Sequence, residues 1–254
     1  MGNCENCYGK RWLNTGKKTR GGIRIWKCYR CGAEQNGDIS YERQAPSILY
    51  IDIEVSLSKM YNFGLKVPDK YISPSMLIQE YFIICWAASW VGEAEIRGGC
   101  VTQAEAKRGN DRRILTPLKK LMDKADIIAG HNIDRFDIPA LNTRFFLNHI
   151  EFPYYNRTLD TLKVARKMKF ESNKLDYLSQ VLGHDGKDKM RLDDWLAISS
   201  SGDPVALAKM YKYNRGDVRN GKATLMDLLP FALKNKPKNY GTITIAREPK
   251  DTWF

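Results

Sequence analysis

Residues 47–55 read Ser-Ile-Leu-Tyr-Ile-Asp-Ile-Glu-Val after Pro46, an apolar and β-branched run that predicts a sheet strand. Side chains alternate across a strand, so Tyr50, Asp52 and Glu54 share one face while Ile51, Ile53 and Val55 share the other. Segments 81–90 and 95–101 have the same character and predict the next two strands of an antiparallel meander. The pattern then changes period. A helix is expected at 112–124, a short buried-type strand at 125–130, and a helix across 135–147 with Pro139 in its first turn, where a missing N–H costs little. Residues 207–229 read as helical apart from Gly216 and Gly221. Each glycine weakens a helix by up to about 1 kcal/mol, and the reason for Gly216 is either close approach of its backbone to the site or a surface kink. A meander followed by alternating helix and strand predicts an α/β fold, a mixed sheet flanked by helices.

The polar residues set into this apolar frame carry the candidate chemistry. An acid pair on one face of so apolar a strand is costly unless compensated, and a bound cation is the simplest compensation. Asp137, in Asn132-x-x-x-Phe136-Asp137, falls between the 125–130 strand and the next helix, where the loops of α/β sheets carry function. A helix N-cap is the alternative role for that acid. Tyr213 and Asp217 are four residues apart, so they share a helix face and can lean over a strand-borne acid pair. Four acids and a tyrosine in this order can build a two-metal site for phosphodiester hydrolysis, where the cations neutralise the phosphate and activate a water. Hard cations such as Mg²⁺ take oxygen ligands, so carboxylates from separate elements are what such a site needs.

These three ordered motifs resemble those of the DEDD superfamily of 3′-to-5′ exonucleases in its tyrosine-bearing branch, the nearest comparison being the proofreading domains of family B DNA polymerases. The resemblance spans residues 47 to about 232 and implies an RNase H-like fold. By the family pattern, Asp52, Glu54 and Asp217 hold two Mg²⁺ or Mn²⁺ ions directly, Asp52 bridging them. Asp137 acts on the second metal, often through water, and Tyr213 orients the attacking water. Asn132 and Phe136 are assigned to substrate contact. The implied reaction releases nucleoside 5′-monophosphates from a 3′ end, with single-stranded DNA favoured over RNA. The histidine-bearing branch would need His at position 212, which is Lys212. Val55 departs from the pattern, since Thr or Ser usually follows the motif glutamate and contacts the terminal nucleotide. Residues 159–166 resemble the superfamily's Asp-Thr strand-to-helix step, and 174–183 its small packing helix ended by Gly183. Asp160 is read as a helix cap and Asp134 as a bystander acid. Two other function classes use similar residues: a structure-selective or single-strand endonuclease on the same scaffold, and a catalytically inert nucleic-acid-binding protein. The intact set of acids argues against the inert protein.

The first forty residues carry a separate feature. Cys4-x-x-Cys7 and Cys28-x-x-Cys31 form two thiolate knuckles separated by twenty residues, the spacing of a four-cysteine ribbon around one structural Zn²⁺. A hairpin containing Gly21-Gly22 and alternating Ile23 and Ile25 would bring the knuckles together. A disulfide framework is the competing reading. The polar start, without a secretory or membrane-spanning segment, favours metal and a cytoplasmic location. Cys85 and Cys100, in apolar contexts, are expected to be plain core residues. The ribbon is basic and aromatic, with Lys10, Arg11, Lys17, Lys18, Arg20, Arg24, Lys27 and Arg30 among Tyr8, Trp12, Trp26 and Tyr29. Those are phosphate and base-stacking groups, and the net charge of +12 over 254 residues points to a nucleic-acid partner. The expected organisation is a zinc ribbon at 1–36, a linker at 37–46, the nuclease-like domain at 47–233 and a basic tail at 234–254. At this length there is no room for a polymerase domain, so any replication or repair partner is expected to act in trans. Lys187, Lys189 and Arg191 form a basic loop that either grips substrate or is simply solvated.

Overall fold

The computed structural model describes residues 12–28, 32–36, 46–62, 73–155, 157–184 and 189–234. Strands β1 (Trp12–Lys18), β2 (Arg24–Cys28) and β3 (Glu34–Asn36) form an antiparallel sheet in that order. The β1–β2 hairpin turns through residues 19–23 as the glycine pair leads one to expect, with Thr19 N–H donating to Ile23 O at 2.8 Å. Ile23 is exposed, while Trp26 and Cys28 are buried. Gly32 N–H donates to Cys28 O at 2.9 Å. Cys4, Cys7 and Cys31 lie outside the described residues, as do residues 37–45 of the expected 37–46 linker and 235–254 of the expected 234–254 tail.

The larger part is built on a five-stranded sheet. Strand β4 (Ile48–Val55) pairs antiparallel with β7 (Ile83–Trp90), which pairs antiparallel with β8 (Arg97–Cys100), so the expected meander is present. On its other side β4 lies parallel to β9 (Ile127–Gly130), and β9 parallel to β10 (Arg157–Asp160). The spatial order β10-β9-β4-β7-β8 puts the acid-bearing strand in the middle. A separate pair, β5 (Lys59–Met60) and β6 (Leu77–Gln79), forms a small two-stranded sheet. The helices are α1 (Gln103–Arg108), α2 (Arg112–Met122), α3 (Asp137–Leu147), α4 (Thr161–Ala165), α5 (Leu175–Val181), α6 (Leu192–Ser201) and α7 (Pro204–Lys234).

Alternation along β4 sorts these helices onto two faces. Leu49, Ile51 and Ile53 join a core with Ile114, Leu115 and Leu118 of α2 and Leu141 and Phe145 of α3. Ile48 and Tyr50 point the other way, against Val218, Leu225 and Leu229 of α7. Strand β9 has neighbours on both sides and is buried throughout, which explains its uninterrupted apolar run. Behind α7, Leu228 packs with Val164 and Ala165 of α4 and Leu178 of α5.

Neither glycine interrupts α7, which runs unbroken for 31 residues. The close approach expected at Gly216 is found at Gly221. A Cβ on Gly216 would meet nothing within 4 Å, whereas one on Gly221 would collide with the Tyr50 ring. Gly221 is thus the position where helix and strand approach closely, and it lies four residues beyond Asp217 on the same face.

One buried ion pair ties the first face together. Asp111, at 0% exposure, accepts from Ile83 N–H at 2.8 Å, from Arg144 Nε and Nη2 at 2.8 and 2.9 Å, and from Asn148 Nδ2 at 2.8 Å. Arg144 also donates to the Tyr81 and Gly109 carbonyls. Every ligand direction of the carboxylate is used, which is the condition under which a buried pair is tolerated.

Candidate active site

Strand β4 delivers Asp52 and Glu54 to the face covered by α7, and α7 delivers Asp217 from above. One carboxylate oxygen from each of the three lies within 4.8 Å of the others. Asp217 is 4% exposed, and the two strand acids are half-buried. Oxygens on opposite sides of a hard cation stand about 4–5 Å apart, so the spacing suits a divalent ion bound by all three. The donor chemistry fits as well: the cluster contains carboxylates alone, which Mg²⁺ and Mn²⁺ accept and Zn²⁺ sites seldom use unaided. Like charges held this close repel, and a bound cation reverses the sign of that interaction.

Tyr213 sits one helical turn before Asp217 on α7, half-buried against the edge of the first core. Between them, Asn214 is completely buried and its Nδ2 donates to Asp52 Oδ2 at 2.7 Å. The second motif lies beside the strand acids. Asp137 is the first residue of α3, and Phe136 holds the N-cap position without a side-chain cap bond. The cap role considered for Asp137 is therefore not the one it plays. Its Oδ1 accepts from the Ile53 backbone N–H at 3.2 Å. That amide lies beyond the last β9 pairing at Tyr50–Ala129, and the carboxylate supplies an acceptor where the neighbouring strand has ended. Asp137 stands outside the three-acid cluster of Asp52, Glu54 and Asp217. It is 3% exposed, and burial pushes its pKa up to about 7.

The loop leading to Asp137 is fixed by a second acid. Asn132 has a left-handed backbone, φ 65°, and its N–H donates to Asp160 Oδ1 at 2.9 Å. The same oxygen accepts from Leu162 N–H, so Asp160 caps α4 as read from the sequence and also holds the second-motif loop. Asp134 pairs on the surface with Lys163 at 2.6 Å, as befits a bystander. Phe136 is 45% exposed beside the site. The Val55 carbonyl accepts from Trp195 Nε1 at 3.2 Å, which brings α6 to the end of β4. Burial against α7 raises the pKa of Tyr50 well above its ordinary value, and the charges of Asp52, Asp137 and Asp217 add to the effect. Sequence reasoning missed Asn214. The signal was present: a polar residue three and four positions before Asp217 and Val218 falls on the buried side of the helix.

Residues 79–229 match the sequence model of the RNase H superfamily, a span that includes the second and third motifs. The family B DNA polymerase of the hyperthermophilic archaeon Pyrobaculum calidifontis has a similar fold, with a TM-score of 0.58 and 15% sequence identity. The similarity covers 87% of this chain and 28% of the polymerase, so the chain spans little more than a quarter of that protein. No curated protein matches the sequence. Among the described residues, no helix is long and apolar enough to cross a membrane.

Proposed function

The chain belongs to the RNase H superfamily, and we propose that it is a two-metal-ion 3′-to-5′ exonuclease of the tyrosine-bearing DEDD type, acting on single-stranded DNA. The observation that carries this reading is the meeting of Asp52, Glu54 and Asp217 from two elements far apart in the chain. In it, Asp52, Glu54 and Asp217 hold two Mg²⁺ or Mn²⁺ ions. When bound, the cations supply charge neutralisation at the scissile phosphate and a water acidic enough to attack it. Asp137 stands behind the pair as a fourth carboxylate, poised between neutral and charged forms by its burial. The Tyr213 phenol, a turn from Asp217, orients the attacking water. Phe136, with its ring half in solvent, stacks on a base, a contact that tolerates any sequence, and Asn132 contacts the same strand. Val55 offers no hydroxyl to the terminal nucleotide, so terminal contacts fall to these neighbours.

The N-terminal knuckles Cys4, Cys7, Cys28 and Cys31 hold one structural Zn²⁺ in this reading, and the basic ribbon adds affinity for nucleic acid. The test compares a linear oligonucleotide labelled at its 3′ end with a closed single-stranded circle, both with Mg²⁺. Immediate release of label as a 5′-mononucleotide, an intact circle and no activity in Asp52→Ala are expected. Cleavage of the circle at a comparable rate points instead to an endonuclease, and persistence of activity in Asp52→Ala refutes the site.

A further inference from the structure

Helix α7 turns Asn214, Asp217, Val218, Gly221 and Leu225 inward, a spacing of three and four residues that defines its buried face. Val218 and Leu225 fill that face with apolar surface, and Gly221 admits Tyr50. Asn214 breaks the pattern. It is at 0% exposure, and its Nδ2 donates to Asp52 Oδ2 at 2.7 Å. The carbonyl end of the same amide, Oδ1, is buried without a hydrogen-bond partner among the described residues. A buried amide with one end unsatisfied is a poor stabiliser, and leucine at this position would bring no unsatisfied polar atom of its own. The one end in use is committed to Asp52, one of the three carboxylates that would hold the metal. The donor assignment follows from chemistry, since a carboxylate accepts and only the NH₂ end can face it.

We propose that Asn214 is a positioning residue that fixes the rotation of the Asp52 carboxylate, so that it meets Glu54 and Asp217 in the arrangement that binds divalent cations. This rests on the metal-site reading above. An asparagine suits the task because it donates without adding charge. A lysine there would neutralise the site and compete with the cation, and an aspartate would add another like charge. Groups that orient metal ligands from behind typically change metal affinity or activity 10- to 100-fold when removed.

The experiment titrates Mn²⁺ alone into the full chain by calorimetry, without nucleic acid, for wild type, Asn214→Leu and Asn214→Ala. Thr224→Val serves as a control, removing a buried hydroxyl contact to Ser179 farther along α7. The expected result is a 10- to 100-fold rise in the Mn²⁺ dissociation constant for both Asn214 variants and an unchanged constant for Thr224→Val. The Mg²⁺ concentration for half-maximal hydrolysis should rise in parallel, while affinity for single-stranded DNA in EDTA stays constant. Wild-type Mn²⁺ affinity in a folded Asn214→Leu or Asn214→Ala overturns the proposal. Failure of both variants to fold also overturns it, by making the residue structural. Absence of Mn²⁺ binding by the wild type removes the metal-site reading itself, and is distinguished by that measurement.

Discussion

Replacing Asp137 with asparagine removes a buried titratable charge while leaving the Ile53 amide with an acceptor oxygen. The carboxyl is 3% exposed, and burial raises its pKa from 3.8 to about 7. A shift of about three units at 1.36 kcal/mol each corresponds to roughly 4 kcal/mol at most. The sign follows from which state holds the proton. Below pH 3.8 both folded and unfolded chains carry the neutral acid, and Asp137 costs nothing. Between there and pH 7 the unfolded chain releases its proton and the folded chain keeps it, so stability falls as pH rises. Above pH 7 the full penalty stands. Urea unfolding of both proteins in EDTA, from pH 4.5 to 8.5, isolates this group as the difference between two curves. Asp137→Asn should gain little at the acid end and a few kcal/mol at pH 8. Added Mg²⁺ should narrow the gap by favouring the ionised wild-type acid. A difference independent of pH would refute the burial argument.

Arg144→Met should lower unfolding stability by about 3–5 kcal/mol, because it leaves the Asp111 carboxylate buried without its cation. Gly221→Ala should destabilise by about 1–3 kcal/mol through collision with Tyr50. Gly216→Ala, with open space around it, should stabilise by up to about 1 kcal/mol. Thermal melts of the two glycine variants should therefore move in opposite directions. Tyr213→Phe should reduce kcat at least tenfold with KM and Mg²⁺ affinity nearly unchanged, since the metal ligands remain. An equal loss of metal affinity would make the ring a structural support.

Much of the fold was legible because burial and period coincide in the elements that matter. Strand β4 shows its two faces in Ile51 and Ile53 against Asp52 and Glu54, and β9 shows by its unbroken apolar run that it has neighbours on both sides. The acids were legible for the same geometric reason, being two apart on a strand and four apart from a tyrosine on a helix. What escaped was either non-local or degenerate. The Asp111–Arg144 pair joins residues 33 apart, and nothing near Arg144 distinguishes it from an exposed cation at a helix end. The N-terminal hairpin has apolar residues in both registers, Ile23 and Ile25 against Trp26 and Cys28, so alternation alone does not say which of them are buried. Gly216 and Gly221 were separable in principle, because only Gly221 repeats the spacing from Asp217. The meaning of Asn214 depends on the strand it faces, because its hydrogen bond goes to Asp52, 162 residues away.

The most direct measurement is anomalous scattering from a crystal grown or soaked with Mn²⁺. A peak should lie within about 2.0–2.4 Å of an oxygen from each of Asp52, Glu54 and Asp217, with a second peak about 3.5–4 Å away on the Asp137 side. Manganese bound elsewhere, or a site that Asp217 does not reach, would contradict the account.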